Sequence, residues 1–332
     1  MRFALSTEQL DFAAELRKIL DAGQVPAAVR AWSAGETGKG RALLRQLAEM
    51  GVFGLIVDER YDGADATPVD LVVALIETGR AALPGPVIES AAVLPALLQR
   101  LPDAALAQQW LPALASGESL GAITFESQRG IALDAEAADL VLVAAGNQLT
   151  QAGTAAEAVT SIDPARKLAR VVAGDVLAEN AAAALDYAFD VGVLACAAQL
   201  LGAGRAILEQ TTTYAKQRKQ FGRVIGEFQA VKQQLAEVLI ALDLAEPLVY
   251  RAALTLDSAD RARDVSAALV ACGDAAHRAA RVGLQVHGAI GYTAECDLSL
   301  WLTRVAALRT AWGTADFHRG RVADALRAPA AV

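Results

Sequence analysis

One stretch of this chain gathers the residue types that bind phosphate: YAKQRKQFG, from Tyr214 to Gly222, continuing to Phe228 and Gln229. A guanidinium gives paired, charge-assisted hydrogen bonds to phosphate oxygens, and a helix start offers free backbone N–H groups. Arg218 is the guanidinium, Gln229 stands one turn into the following helix, and Phe221 is suited to packing against an aromatic ring or a ribityl chain. The same residues also fit an ordinary basic helix end facing its own dipole. Residue types alone leave both readings open.

The other reactive side chains read more plainly. His277 lies among alanines on a helix and is expected to be structural. His287 sits in a glycine-rich turn, QVHGAIGY, from Gln285 to Tyr292. His318 follows Asp316 and Phe317, too isolated for a metal site. Glu295 and Asp297 read as solvated acids near that turn. Asp163-Pro-Ala-Arg166 reads as a turn in which local hydrogen bonds place Arg166. Cys196, Cys272 and Cys296 are far apart, with no CxxC spacing, and are expected to be free thiols in a reducing cytoplasm.

Helices must position these groups. Ser6-Thr7-Glu8-Gln9 marks a helix start, followed by Leu10, Phe12, Leu16 and Leu20 at helical spacing. A second helix is predicted to end near Met50-Gly51, and FGLIVDERYDG to run extended into a turn. Helical patterns cover Val69–Leu83, break at Pro84-Gly85-Pro86, and run from Ala91 to Ser116. ADLVLVAA and KLARVVA are short Val-rich runs bounded by turn residues, the signature of strands. From Ala182 helix dominates. Phe228, Val231, Leu235, Val238, Leu239 and Leu242 form one apolar stripe, and a last long helix covers about Asp264 to Val286. Three segments are expected: 1–118 helical, 119–181 a small β unit, 182–332 helical.

The run YAKQRKQFGRVIGEFQAVKQQLAEV resembles the acyl-CoA dehydrogenase pattern Tyr-Ala-x-x-Arg-x-x-Phe-Gly, a spacer, then Gln. QVHGAIGY resembles that family's Gln-x-x-Gly-Gly-x-Gly-Tyr turn, and LIVDERYDG its Pro-Glu-x-Tyr-Gly-Gly turn. The likeness covers the chain in order, with a β region about half the usual length. It implies a mainly α fold with a small β insertion: an N-terminal helical domain, a reduced middle β domain and a C-terminal four-helix bundle. It implies FAD, held across a subunit interface, and desaturation of an acyl-CoA thioester between Cα and Cβ. By position, Arg218, Phe221, Gln229, Gln285, Gly288 and Ala289 then face a neighbour's FAD. Ala289 replaces the turn's second glycine, and Gly313-Thr314 keeps the small-residue turn that approaches the flavin.

Two departures stand out. The family's base is often the Glu of a Tyr-Glu-Gly-Thr segment, which falls here on Ala311-Trp312-Gly313-Thr314. Relatives that place the base in the helix before the Arg-Phe-Gly motif would use Gly192 and Val193. An indole, a glycine and a valine accept no α-proton, and Asp190 is two residues away. The flavin-ring loop Thr-Glu-Pro-x-x-Gly-Ser-Asp survives only as AITFESQRG, Ala122 to Gly130. This pattern resembles the short, base-deficient subunits of heteromeric acyl-CoA dehydrogenases of bacterial steroid degradation. It implies an acyl-CoA substrate, a homologous partner subunit or a second copy, and an electron-transfer flavoprotein as acceptor. A non-catalytic scaffold or acyl-CoA-binding protein of the same fold is the alternative; a flavin oxidase or oxygenase is a third.

Composition agrees. In 332 residues, 38 acids against 30 bases give a net charge of −8, a poor match to nucleic acid, and 5% aromatics give few bases a stacking platform. The N-terminus reads as an amphipathic helix, and no stretch has both the length and the flanks of a membrane span. A cytoplasmic location without membrane insertion is expected.

Overall fold

Ser6 opens the first helix through a capping box. Its hydroxyl accepts from Gln9 N at 3.3 Å, and Gln9 Oε1 accepts from Ser6 N at 3.0 Å. The computed structural model describes residues 4–153 and 157–327; residues 1–3, 154–156 and 328–332, inside the three expected segments, lie outside the described residues. Three helices come first: α1 (Thr7–Ala22), α2 (Val25–Ser33) and α3 (Gly38–Glu49). Gly51, at φ 82°, follows the third in a left-handed conformation that glycine adopts freely.

The stretch expected to be extended winds instead into two 3₁₀ turns, Val52–Gly54 and Glu59–Tyr61. Asp58 Oδ1 accepts from Arg60 N at 2.9 Å, and the carbonyls of Leu55 and Val57 accept from Ala66 and Asp65. These local partners outcompete a strand that would have no neighbour. Next come α4 (Pro68–Arg80), a π-helical turn (Glu89–Val93) running into α5 (Leu94–Leu98), and α6 (Ala105–Ala115). The single helix predicted from Ala91 to Ser116 is therefore broken, and Pro102 in the gap disfavours helix at the residue before it.

Two sheets follow. β1 (Gly121–Phe125), β3 (Leu140–Ala145), β4 (Gln148–Ala152) and β7 (Ala173–Ala178) form one sheet in that order. β1 is parallel to β3, with Thr124 opposite Val143. β2 (Ile131–Leu133), β6 (Leu168–Arg170) and β5 (Glu157–Val159) form the second, antiparallel throughout.

The remainder is helical: α7 (Ala182–Gln217), α8 (Gln229–Leu254), α9 (Arg261–His287), α10 (Leu298–Ala311) and α11 (Ala315–Arg327), with a two-stranded hairpin, β8 (Lys219–Gln220) and β9 (Arg223–Val224), before α8. The first four make the bundle, and α11 lies on α9 as a fifth. α7 is long and apolar enough to cross a membrane, but 89% of its apolar window is buried within the protein. It crosses α4 at backbone distance: a Cβ at Gly202 would lie 1.9 Å from Ile76 O, and one at Gly79 would lie 2.2 Å from Gln199 O. Along α8, Val238, Leu242, Ala245 and Val249 are buried, whereas Leu239 is 48% exposed. The expected stripe is thus narrower by that residue, which points away from α7 and α9.

A buried ion pair joins the parts. Arg304 of α10 donates through Nε to Asp163 Oδ2 and through Nη1 to Leu83 O at 2.8 Å, and both side chains are at most 5% exposed. The bundle, the β unit and the N-terminal helices meet there. Arg304→Met would leave Asp163 buried and unpaired, and is expected to cost about 3–5 kcal/mol in urea unfolding. Adding Asp163→Leu should restore most of that loss. A single variant within about 1 kcal/mol of wild type would show that the pair clamps nothing.

Candidate functional site

At one end of the bundle the two glycine-bearing segments meet. Tyr214, in the last turn of α7, stacks on His287 at the end of α9, with ring centroids 4.2 Å apart and planes 21° apart. His287 Nδ1 lies 2.8 Å from Gly283 O, a contact that fixes the ring as a donor to its own helix. Burial holds its pKa below the ordinary histidine value. The segments expected to act together are therefore adjacent, and His287 is the packing element between them.

Beyond Tyr214 the chain leaves α7 at Arg218 and turns through Phe221 and Gly222, at φ 52° and 80°. Two successive left-handed residues make the tight reversal between β8 and β9. The turn carries Phe221 outward, 91% exposed. Arg218, Gln229 and Gln285 are also exposed, as are Gly288 and Ala289. Among the described residues, the Arg218 guanidinium makes no ion pair or hydrogen bond. Gly288 has φ 67°, and a Cβ there would meet nothing within 4 Å. Its surroundings are open to a ligand or a second chain.

The second region is a cleft of about 640 Å³ between the β unit and the end of α10. Trp312, Gly313, Thr314, Gln128, Arg166 and Glu89 are among its lining residues. Trp312 is 1% exposed. Its ring lies against Phe125 and Phe189 at 5.8 and 5.9 Å between centroids. A Cβ on Gly192 would fall 2.3 Å from Trp312 Cζ3. The two positions singled out in the sequence, on α7 and after α10, thus converge in space, and the indole takes the room that glycine leaves.

Several groups lock this loop. Trp312 O lies 2.8 Å from His318 Nε2, and His318 Nδ1 lies 3.0 Å from Ser266 Oγ. A carbonyl only accepts, so Nε2 carries the proton and Nδ1 accepts from the serine. Burial favours this neutral ring by lowering its pKa. Gln128 bridges Phe125 N and Ala311 O, both at 2.9 Å. Thr314 Oγ accepts from Phe317 N at 3.3 Å, capping α11. Asp190 is fully buried, with one oxygen on Arg261 Nε at 2.8 Å and the other on Arg321 Nη2 at 2.7 Å. Both of its oxygens are committed to structure.

Sequence reasoning missed Glu89 and Asp134. Glu89 is 4% exposed, in the π-helical turn, and burial raises it to about 7 against the opposing charge of Arg166. Asp134 accepts from Trp32 Nε1 at 2.8 Å and is raised by burial to about 6. Among the described residues, Glu89 Oε2 and Asp134 Oδ2 have no partner. A lone acid inside the apolar run from Val87 to Val93 was the available signal for Glu89. Arg166 does sit in the expected turn, where its N donates to Asp163 O at 2.9 Å, but its side chain enters the cleft. Glu295 and Asp297 are exposed, and Asp297 pairs with Arg30 at 2.6 Å. Among the described residues no cluster of His, Cys, Asp or Glu suits a metal.

The fit of Trp312 over Gly192 gives a direct test. Gly192→Ala is expected to destabilise by about 1–3 kcal/mol through overpacking. In a Trp312→Ala background the same change should be neutral or stabilising, as alanine favours helix. Additive effects in thermal or urea unfolding would place the ring elsewhere.

The acyl-CoA dehydrogenase N-terminal domain matches residues 6–118, and the C-terminal domain of that family matches residues 182–327. Acyl-CoA dehydrogenase IpdE2 of Mycobacterium tuberculosis is 34% identical over 284 residues, covering 84% of this chain and 85% of the relative. IpdE2 of Mycolicibacterium smegmatis is 32% identical over 285 residues, covering 84% and 86%. A chain of the ChsE4-ChsE5 complex from Mycobacterium tuberculosis has the same fold, with a TM-score of 0.86 at 23% identity over 99% of this chain and 100% of that one. Sequence matches in both helical parts, and relatives alike over most of their length, identify this chain as a member of the acyl-CoA dehydrogenase family.

Proposed function

We propose that this chain is a subunit of an FAD-dependent acyl-CoA dehydrogenase that completes the FAD site of a homologous, base-bearing partner. The observation that carries this reading is Phe221, held outward on a left-handed turn beside an unpaired Arg218. Phe221 meets the edge of Phe228 at 6.3 Å between centroids yet leaves most of its ring in water, and an adjacent free guanidinium is suited to phosphate. Arg218 would bind the pyrophosphate, and Phe221 would cover the adjoining part of the cofactor from water. Gln229 and Gln285 would give side-chain amides, and Gly288 would allow close backbone approach. Ala289 adds one methyl beside it. When bound, FAD supplies the two-electron acceptor for α,β-desaturation of the acyl-CoA, with an electron-transfer flavoprotein as the onward acceptor.

The chain's own cleft supports the division of labour. Trp312 stands where the family's glutamate falls, and its ring packs on Gly192, the other position from which relatives offer a base. No carboxylate reaches the cleft from either position. The Thr314 hydroxyl caps α11 and keeps its proton for a ligand on the cleft side. The resemblance to subunits of steroid-degrading assemblies makes acyl-CoA thioesters of steroid origin the first substrates to test. A non-catalytic scaffold shares the buried Trp312 but gives Arg218 and Phe221 no role.

Co-expression with a base-bearing homologue should yield a complex with about one FAD per pair of unlike chains, measured from flavin absorbance and protein mass. Mutating the partner's base should abolish desaturation, whereas Trp312→Phe here should retain most of it. A stable homo-oligomer carrying one FAD per chain would defeat the proposal. In the complex, Arg218→Ala should weaken FAD retention roughly tenfold to a hundredfold, the loss expected for a charged hydrogen bond of about 1.5–3 kcal/mol. Unchanged flavin content after dialysis would remove Arg218 from the phosphate site.

A further inference from the structure

The cleft beneath Trp312 has a composition that the proposed cofactor role leaves unused. Its walls are largely apolar, with Ile123, Leu133, Leu168 and Trp312 among them. Its charged lining residues are Glu89 from the π-helical turn, Arg166 from the β unit and the exposed Arg129, with hydroxyl and amide side chains such as Gln128 and Thr314 between them. Arg166 also lines a second cavity, of about 790 Å³, shared with Asp134 and Trp32. Among the described residues, the Arg166 guanidinium makes no hydrogen bond and no ion pair. Glu89 Oε2 is buried without a partner.

A buried carboxyl oxygen without a donor is costly unless something completes it, and the half-buried Arg166 guanidinium is left free to pair with a ligand. They do not complete one another, because they stand too far apart for an ion pair. A cleft of this volume, with an aliphatic and aromatic wall beside polar and charged groups, has the make-up of a small-molecule site.

The geometry points to a binding site for a small monocarboxylate with an apolar body, its carboxylate on Arg166 and one of its oxygens accepting from a protonated Glu89. The hydrocarbon part would lie against Trp312 and the aliphatic wall. Arg166 would then have a paired, charge-assisted contact, and Glu89 Oε2 would carry the proton that makes it a donor. All of its lining comes from this chain, including parts of the Ala122–Gly130 and Gly313-Thr314 segments that the family resemblance sets beside a flavin ring.

Binding must then be coupled to a proton. The charged and titratable groups facing Glu89 are Arg166, Asp134 and Cys196. Arg166 favours its ionised form; Asp134 and burial oppose it. Cys196 is itself held neutral by burial, which raises it to about 12. Free Glu89, at about 7, is protonated below neutrality and ionised above it. Ionised Glu89 would repel an arriving carboxylate and offer it no proton, so the ligand binds the protonated form. One proton is taken up per ligand when the free site is ionised.

The test is calorimetric titration of the full chain with hexanoate and cyclohexanecarboxylate, using 1-hexanol as the uncharged comparator. Both acids should bind at one site per chain, about tenfold more weakly at pH 8 than at pH 6, by linkage to a group titrating near 7. Heats in buffers of different ionisation enthalpy should report proton uptake at pH 8. Glu89→Gln, which keeps the donor without a titration, should bind with the same affinity at both pH values. Arg166→Met should lose at least about tenfold in affinity, and Arg166→Lys should lie between the two. 1-Hexanol binding as tightly as hexanoate would overturn the proposal, as would pH dependence surviving in Glu89→Gln. So would the absence of saturable binding to folded wild type at millimolar probe.

Discussion

The buried contact of Arg304 with Asp163 and Leu83 O sets the frame within which the rest of this structure is arranged. Its members come from the bundle, the β unit and the segment after α4, and they satisfy one another in a single relative placement. Measured against a well-packed apolar substitute, a buried ion pair adds little net stability. Its effect is on register, because any slippage strands a charge away from water. Arg304 lies on the helix that ends at Trp312, so the same contact fixes where the indole is delivered. The position of the cleft wall follows from an ion pair outside it.

The two regions of interest obey opposite physical logic. The Phe221 turn is incomplete outward: an aromatic in water, a free guanidinium and open space over Gly288. The Trp312 loop is sealed by a ring packed on ring and helix, a carbonyl bound by a neutral His318, and Asp190 saturated by two arginines. A surface of the first kind gains by meeting another molecule, whereas a region of the second kind gains by staying put. Between them runs α7, which carries Gly192 at one level and Tyr214 at its far end. A single rigid helix therefore connects the closed region to the open one.

Much of this was legible in the sequence because the signals were local. The Tyr214–Gln229 and Gln285–Tyr292 segments are short and ordered, and the capping box at Ser6 needs only four residues. The apolar stripe of α8 and the extent of α9 were legible after Ala182, whereas α10 and α11, beyond the helix expected to be the last long one, were not. What stayed hidden depends on partners distant in the chain. Arg304 and Asp163 are 141 residues apart, and Trp32 and Asp134 are 102 apart. No spacing rule pairs them. Glu89 is one acid in an apolar run, and nothing in that run says that the fold turns it into a cleft. The misread stretch after Met50 shows the converse: a strand-like composition folded into 3₁₀ turns because Asp58 and the inward carbonyls found partners close by.

Trp312 and Gly192 also bear on how such a chain can change over time. With the indole in place, any side chain at position 192 collides with it; with glycine in place, shrinking the indole opens a void that costs about 3–5 kcal/mol. Natural domains hold only about 5–15 kcal/mol in reserve. Each residue thus makes change at the other unfavourable, and altering the pair requires two coordinated substitutions across a less stable intermediate. The contact is therefore epistatic: what one position tolerates is set by what occupies the other.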